Sequence, residues 1–431
     1  MADRRKFLKH SGIGLLGLFL NNRLGFSAPF VGDNKVFDSS LSTFSNTTEP
    51  NWNVVLNEFN ISEGLSFLNN GTMGIIPQAV LNAVANEAAR VNSAGKYGGG
   101  EIQARTALAQ LMKVDATEIA MTHNVTEGIN TVCWGLPLKK GDEIILSDQE
   151  HVGNAMPWIN RADKDCLKIK MITLPPTADE VIEVVTRAIT RKTKVLAIPH
   201  IPCTTGQVLP IKELAELARK NNIITVFDGA HGPGMLSMDL KDVGCDVYVS
   251  CCHKWLLGPS GTGFIYVSNE VIDQLEAHFV GGHSGALWEL DTGGFDLGEF
   301  PKDAHRLFYG TQSASLYKGV EAAVQFHQNI GSDHIERRIK QLNGMVRDGL
   351  AQFGDRVEIL TSSEPKSMAG VISFRILNLD NHKLVEEARK DKLILRFVAE
   401  SGLDCIRVST HIYNTPEDVE RLLSFIADKL S

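Results

Sequence analysis

The sequence predicts an α/β fold: a large, mostly parallel sheet covered by helices, followed by a smaller α+β domain. Three observations predict it. Short runs rich in β-forming residues, at 143–146, 195–198, 223–227 and 247–249, alternate with helical stretches such as 211–220. Those runs are apolar on both faces, as strands are when helices cover each side of a parallel sheet. Beyond residue 316 the pattern changes to a helical stretch over 316–353, a strand-like run at 371–376 and a last helix over 416–430.

The chain of 431 residues is 43% hydrophobic and 22% charged, enough to bury substantial cores and too apolar for a disordered protein. Lys and Arg total 43 against 51 Asp and Glu, a net charge of -8 that disfavours nucleic acid and anionic lipid as partners. Seven cysteines in so long a chain make no disulfide framework, and Cys251 and Cys252 are adjacent, where a bridge is strained.

In chain order, Arg4-Arg5-Lys6 precedes an apolar run at 13–20 and a polar stretch holding Ser27-Ala28, the pattern of a twin-arginine export signal over 1–30. Periplasmic or secreted localisation is the expectation; the alternative is a basic amphipathic first helix on a cytoplasmic protein. The run falls short of the roughly 20 apolar residues that span a bilayer, so no stable membrane anchor is expected. Residues 31–66 form a linker and N-terminal arm, polar and aperiodic up to Pro50. The large domain is expected over 67–315 and the small C-terminal domain over 316–431.

Three segments carry chemistry. In Val247-Tyr-Val-Ser-Cys-Cys-His-Lys-Trp-Leu-Leu-Gly-Pro-Ser-Gly261, a buried strand delivers Lys254 into a Gly/Pro-rich turn, at the strand edge where open α/β sheets bind ligands. Such a lysine can form a Schiff base, although most turn lysines are merely solvated. Asp228, ending the strand-like run before Gly-Ala-His231-Gly-Pro-Gly, can pair with a protonated pyridine nitrogen; standing alone it reads better as a turn aspartate. Thr126 and its neighbours open a helix after the run at 118–121, where backbone amides can cradle a phosphate. A metal site from Cys251, Cys252 and His253 is rejected, because adjacent strand residues point to opposite faces.

On these residues the sequence resembles the class V aminotransferases, a family of fold-type-I pyridoxal-phosphate enzymes that includes cysteine desulfurases, selenocysteine lyases and isopenicillin N epimerases. The resemblance runs from about Phe67 to the C-terminus through Thr126-Glu127-Gly128, Glu150-His151, Asp228-Gly-Ala-His231, His253-Lys254, Tyr309-Gly-Thr311 and Cys405-Ile-Arg407-Val-Ser409. It implies pyridoxal 5'-phosphate as cofactor, bound covalently by Lys254, with Asp228 on the pyridine nitrogen. It implies His151 stacked on the ring, His231 near the ring hydroxyl, Thr126, Ser250 and His253 around the phosphate, and Glu127 also among the cofactor-binding residues. Thr311 would reach the phosphate of a partner subunit, giving a homodimer with shared active sites. Arg407 would grip the α-carboxylate of an amino-acid-like substrate.

Departures from the family pattern narrow the activity. Desulfurases carry a catalytic cysteine on a small-domain loop after an arginine, whereas here Leu395-Arg396 runs almost directly into Cys405-Ile-Arg407, and Cys405 reads as a buried small hydrophobe. The stretch from Val280 to Gly298 and His-Lys-Trp at 253–255 look more like the isopenicillin N epimerase branch. Pro202-Cys203-Thr204-Thr205 stands where desulfurases have an asparagine, so Cys203 or Thr204 would take its place. The expected activity is epimerisation or transamination at the α-carbon of an amino acid or peptide. The alternatives are a C–S or other β-elimination lyase and a catalytically silent binding protein.

Overall fold

Buried apolar runs separated by amphipathic helices assemble into a seven-stranded sheet in the computed structural model, which describes residues 49–96, 99–282, 284, 289–291, 294–296 and 299–431. The signal-like segment 1–30, the arm up to residue 48 and most of the Gly-rich stretch over 283–298 lie outside the described residues. The strand order is Ile119–Thr122, Gly263–Val267, Val247–Cys251, Ile224–Asp228, Thr193–Pro199, Glu143–Ser147, Lys168–Ile172. All run in one direction except Gly263–Val267, which is antiparallel to both its neighbours.

Alternate residues of one strand enter different cores. Val195, Ala197, Val226 and Val249 pack with Ile129 and Trp158 on one face; Leu196, Ile198, Phe227 and Tyr248 pack with Leu108, Val185 and Leu214 on the other. This explains why the strands read as apolar on both sides. Cys251 and Cys252 likewise fall into opposite cores. All seven cysteines are free thiols.

The second sheet is antiparallel, in the order Val357–Ile359, Val371–Ile376, Cys405–Ser409, Arg396–Val398. Leu342 and Val346 of the helix Ser332–Ala351, Leu384 of Asn381–Lys390, and Leu422 and Ile426 of Pro416–Leu430 cover Ile372, Phe374 and Ile406. The helical stretch expected over 316–353 is two helices, Ala314–Ile330 and Ser332–Ala351, divided at Gly331, whose φ of 94° no helix accommodates. The 315/316 boundary falls inside the first of these, which packs on Gln78–Ala94 and Glu101–Met112.

The arm is more ordered than its polar composition suggests. Asn51 caps the helix Trp52–Leu56, Phe59 packs edge-on against Phe326, and Ser66–Phe67 pairs in parallel with Leu393–Ile394. A few apolar anchors suffice, and sparse anchors leave no periodicity to read. Beyond the arm, Ser409 N–H donates to the Leu68 carbonyl at 2.8 Å and Asn70 N–H to the Ser409 carbonyl at 3.2 Å. Residues 69–72 are thereby laid beside the strand that carries Arg407. No helix among the described residues is long and apolar enough to cross a membrane.

Candidate active site

Asp228 is the last residue of Ile224–Asp228, and Lys254 follows the neighbouring strand Val247–Cys251 by three residues, so both emerge at the C-terminal edge of adjacent parallel strands. Asp228 is 4% exposed and accepts a hydrogen bond from Ala230 N–H at 2.9 Å. Burial pushes its carboxyl above the usual carboxylate range, while that N–H and the Lys254 charge pull the other way.

The Lys254 turn is held against the segment 69–74. Gly74 N–H donates to the His253 carbonyl at 2.9 Å, and a Cβ at Gly74 would lie 2.2 Å from the Lys254 carbonyl oxygen, an approach only glycine permits. Lys254 Nζ lies 3.2 Å from His231 Nε2. The buried His231 ring accepts from the Trp255 indole N–H at its Nδ1, at 3.0 Å. Indole nitrogen only donates, so Nδ1 carries no proton. Burial, then the Lys254 and Arg407 charges, hold His231 well below its ordinary value, so the ring is neutral and its proton sits on Nε2, facing Lys254.

Arg407, fully buried in Cys405–Ser409, stands on the other side of Gly71: a Cβ there would lie 3.2 Å from both Arg407 Nη2 and His231 Cε1. Its Nη1 donates to the Cys203 carbonyl at 2.9 Å, and its Nη2 to Asn69 Oδ1 at 3.0 Å and Thr72 Oγ1 at 2.9 Å. Burial, then the Arg396 charge, lowers it to about 10. The structure thus brings Lys254, Asp228, His231 and Arg407 together, and adds Asn69, Thr72 and Trp255, which sequence reasoning misses. The only sequence signal for the first two is the polar run Asn69-Asn70-Gly71-Thr72 directly after buried Leu68.

His151 caps the helix Val152–Asp165, its Nδ1 accepting from Gly153 N–H at 3.0 Å, which fixes the other ring nitrogen as the one able to donate. Partial burial, then Lys254, lowers its pKa. A Cβ at Gly153 would lie 2.6 Å from Thr126 Oγ1, so the exposed Thr126 is a close neighbour of His151. The adjoining Glu150 accepts from Ser147 N–H and Oγ and from Asn154 Nδ2, and burial, aided by the Asp228 charge, raises it to about 8.

Three expected ligands sit differently. Ser250 is fully buried and spends its only hydroxyl proton on the Gly229 carbonyl at 2.8 Å, leaving none for a phosphate; it ties two strand ends together. The Glu127 carboxylate accepts from His123 N–H at 2.7 Å and from the Tyr309 hydroxyl at 3.2 Å, and its amide donates to the capping Asn124. Asn124 caps the helix Val125–Gly135, and a carboxylate so engaged offers a phosphate no donor. Thr204, a candidate for the missing asparagine, donates with Thr205 to Gln149 Oε1. Thr311 is exposed after Gly310, and half-buried His253 keeps a buried Nδ1 without a partner.

These residues fit pyridoxal phosphate. An amine and a carboxylate share one strand edge, the His253 Nδ1 and Arg407 Nε are buried without partners, and Gly71 leaves the approach between Arg407 and His231 clear.

The comparisons with known proteins agree with this geometry. The Aminotransferase class-V family model matches residues 67–422. An isopenicillin N epimerase from Amycolatopsis lactamdurans is 29% identical over 86% of this chain and 96% of its own. A probable cysteine desulfurase from Pyrococcus abyssi is 28% identical over 76% of this chain and 82% of its own. Among solved structures, a C-DES mutant with glycine covalently linked to its PLP cofactor superimposes with a TM-score of 0.80 at 27% identity, over 86% of this chain and 98% of that one. C-DES in complex with cysteine persulfide, described as a cystine C–S lyase, gives 0.78 at 28%, over 85% and 98%. With the fold, the strand-edge lysine and aspartate and the family match in agreement, the chain belongs to the class V aminotransferase family.

Proposed function

We propose that this chain is a pyridoxal-phosphate enzyme acting at the α-carbon of an amino acid or short peptide, by epimerisation or transamination. The observation that carries the reading is the cluster at one strand edge: the Lys254 amine against His231, the Asp228 carboxylate beside it, and the Arg407 guanidinium across Gly71. Pyridoxal phosphate, when bound, supplies the electron sink that makes an α-proton removable. Asp228 would hold the pyridine nitrogen, His151 would cover the ring, and Thr126 and His253 would contact the phosphate. Arg407 orients the substrate through its α-carboxylate. Lys254 takes the α-proton, with the His231 ring beside its amine. Thr311 serves the site of a partner subunit, and the twin-arginine segment directs export of the folded protein.

A second reading, elimination across a C–S bond, is favoured by the likeness to C-DES. A persulfide relay is not, because the six residues 399–404 that join Arg396–Val398 to Cys405–Ser409 contain no cysteine. Cys405 itself is fully buried, with its thiol raised to about 11 by burial. The test is the visible absorbance of the purified protein with pyridoxal phosphate, beside Lys254→Ala, followed by product analysis with pooled amino acids. The expected result is a band that is lost in the variant, with a change of α-carbon configuration or a keto acid as product. Pyruvate with sulfide from cysteine or cystine would favour elimination. No band in either protein would refute both.

A further inference from the structure

A cavity of about 900 Å3 opens between the helix Asn381–Lys390 and the strand Arg396–Val398. Asn69 and Thr72 line it, and the same two side chains hold Arg407 Nη2. Arg396, in its wall, lies directly opposite Arg407 in the antiparallel pair, and residues opposed in this way share one face of the sheet. The cavity therefore adjoins the residue assigned to the substrate carboxylate.

The charge of the wall is one-sided. Arg389 and Lys390 occupy the last turn of the helix and Arg396 stands on the strand, against Glu386 as the one carboxylate of the lining. Glu400, outside the lining, pairs with Arg396. A concave site carrying surplus cations concentrates anions. Its volume also exceeds what one amino-acid side chain fills and lies in the range of drug-sized ligands. Resting on the function proposed above, we infer that the substrate carries a second anionic group, a carboxylate distal to the one held by Arg407, seated among Arg389, Lys390 and Arg396. The substrate class is thus an acidic amino acid or a short acidic peptide.

The test is equilibrium titration of the cofactor-loaded full-length enzyme, by calorimetry and by absorbance, with L-glutamate and γ-glutamylglycine against L-glutamine and L-norvaline. The acidic ligands are expected to bind at least ~10-fold tighter at low salt, with the gap closing as salt rises. The double variant Arg389→Ala, Lys390→Ala should bring the acidic ligands to the neutral level and leave the neutral ones unchanged. Equal affinities in the wild type would overturn the inference. So would a double variant with a lowered melting temperature but unchanged discrimination, since the two cations would then only complement the helix C-terminus. If no amino acid of either kind binds or perturbs the absorbance, the proposed function itself falls.

Discussion

Lys254 owes its setting to the indole next to it in sequence. Trp255 stacks on His411 with ring centroids 5.6 Å apart and points its N–H at His231, deciding which imidazole nitrogen faces the amine. Trp255→Phe keeps most of the stack and removes the donor, leaving a buried acceptor unpaired at a cost of about 1–3 kcal/mol. The expected result is a fall in kcat of roughly tenfold, on the same arithmetic of about 1.4 kcal/mol per decade, with little change in KM. An unchanged kcat and pH profile would show the indole to be packing alone. Lys254, Asp228, His231 and Arg407 are legible in the sequence because each is a polar residue just past the end of, or within, a buried apolar run. Ser250 and Glu127 are misread for a physical reason: what a hydroxyl or carboxylate can bind depends on which partners already hold it, and the Gly229 carbonyl and the Tyr309 hydroxyl are set by packing. Asn69 and Thr72 escape notice because their partner lies 338 and 335 residues away.

Among the elements, the turn carrying Lys254 is shaped by the backbone that crosses it. Gly74→Ala would drive a methyl into the Lys254 carbonyl and, at 2.5 Å, into Leu257 Cδ2. The expected loss is about 1–3 kcal/mol in chemical denaturation, together with most of the catalytic rate. Gly344 is the contrast: it lies within the helix Ser332–Ala351 with nothing within 4 Å of a Cβ. Gly344→Ala should add about 0.5–1 kcal/mol and leave activity alone. Similar shifts for the two variants would mean the turn yields freely. The strands and most helices are readable from alternation and amphipathic spacing, whereas the helix Trp52–Leu56 is not, since burial of Val55 and Phe59 is fixed by contacts with a distant helix.

For the molecule as a whole, buried titratable groups set its tolerance of acid. Burial lowers His200 and His327 to about 4 and His411 to about 3, and holds His231 well down. The unfolded chain protonates these four near 6.5, so it gains protons the native state refuses, and stability falls as pH drops from about 6.5 toward 4. Glu150, raised to about 8 by burial, opposes this, and Asp228 and Asp246, also raised by burial, act in the same sense as Glu150. His151 and His253 are lowered as well, so the lowered histidines outnumber the raised carboxyls and the net change toward acid is a loss of stability. Urea midpoints of the cofactor-free protein at pH 7.5, 6.0 and 5.0 should decline accordingly; a flat series would show those histidines to be accessible to protons in the native state.

The clamp on Arg407 has a consequence in time as well as in space. Its partners Asn69 and Thr72 are among the first residues of the folded body to be synthesised, and Arg407 among the last. A chain emerging from the ribosome can complete the lysine-bearing sheet long before it holds Arg407, the group proposed to bind the substrate carboxylate. Closing so long a loop comes late and slowly. A product truncated before residue 405 would keep Lys254 but lose both Arg407 and His411, on which Trp255 stacks, so the amine would lack the guanidinium proposed to orient substrate. Translation order makes the Arg407 clamp one of the last contacts of the folded body to close.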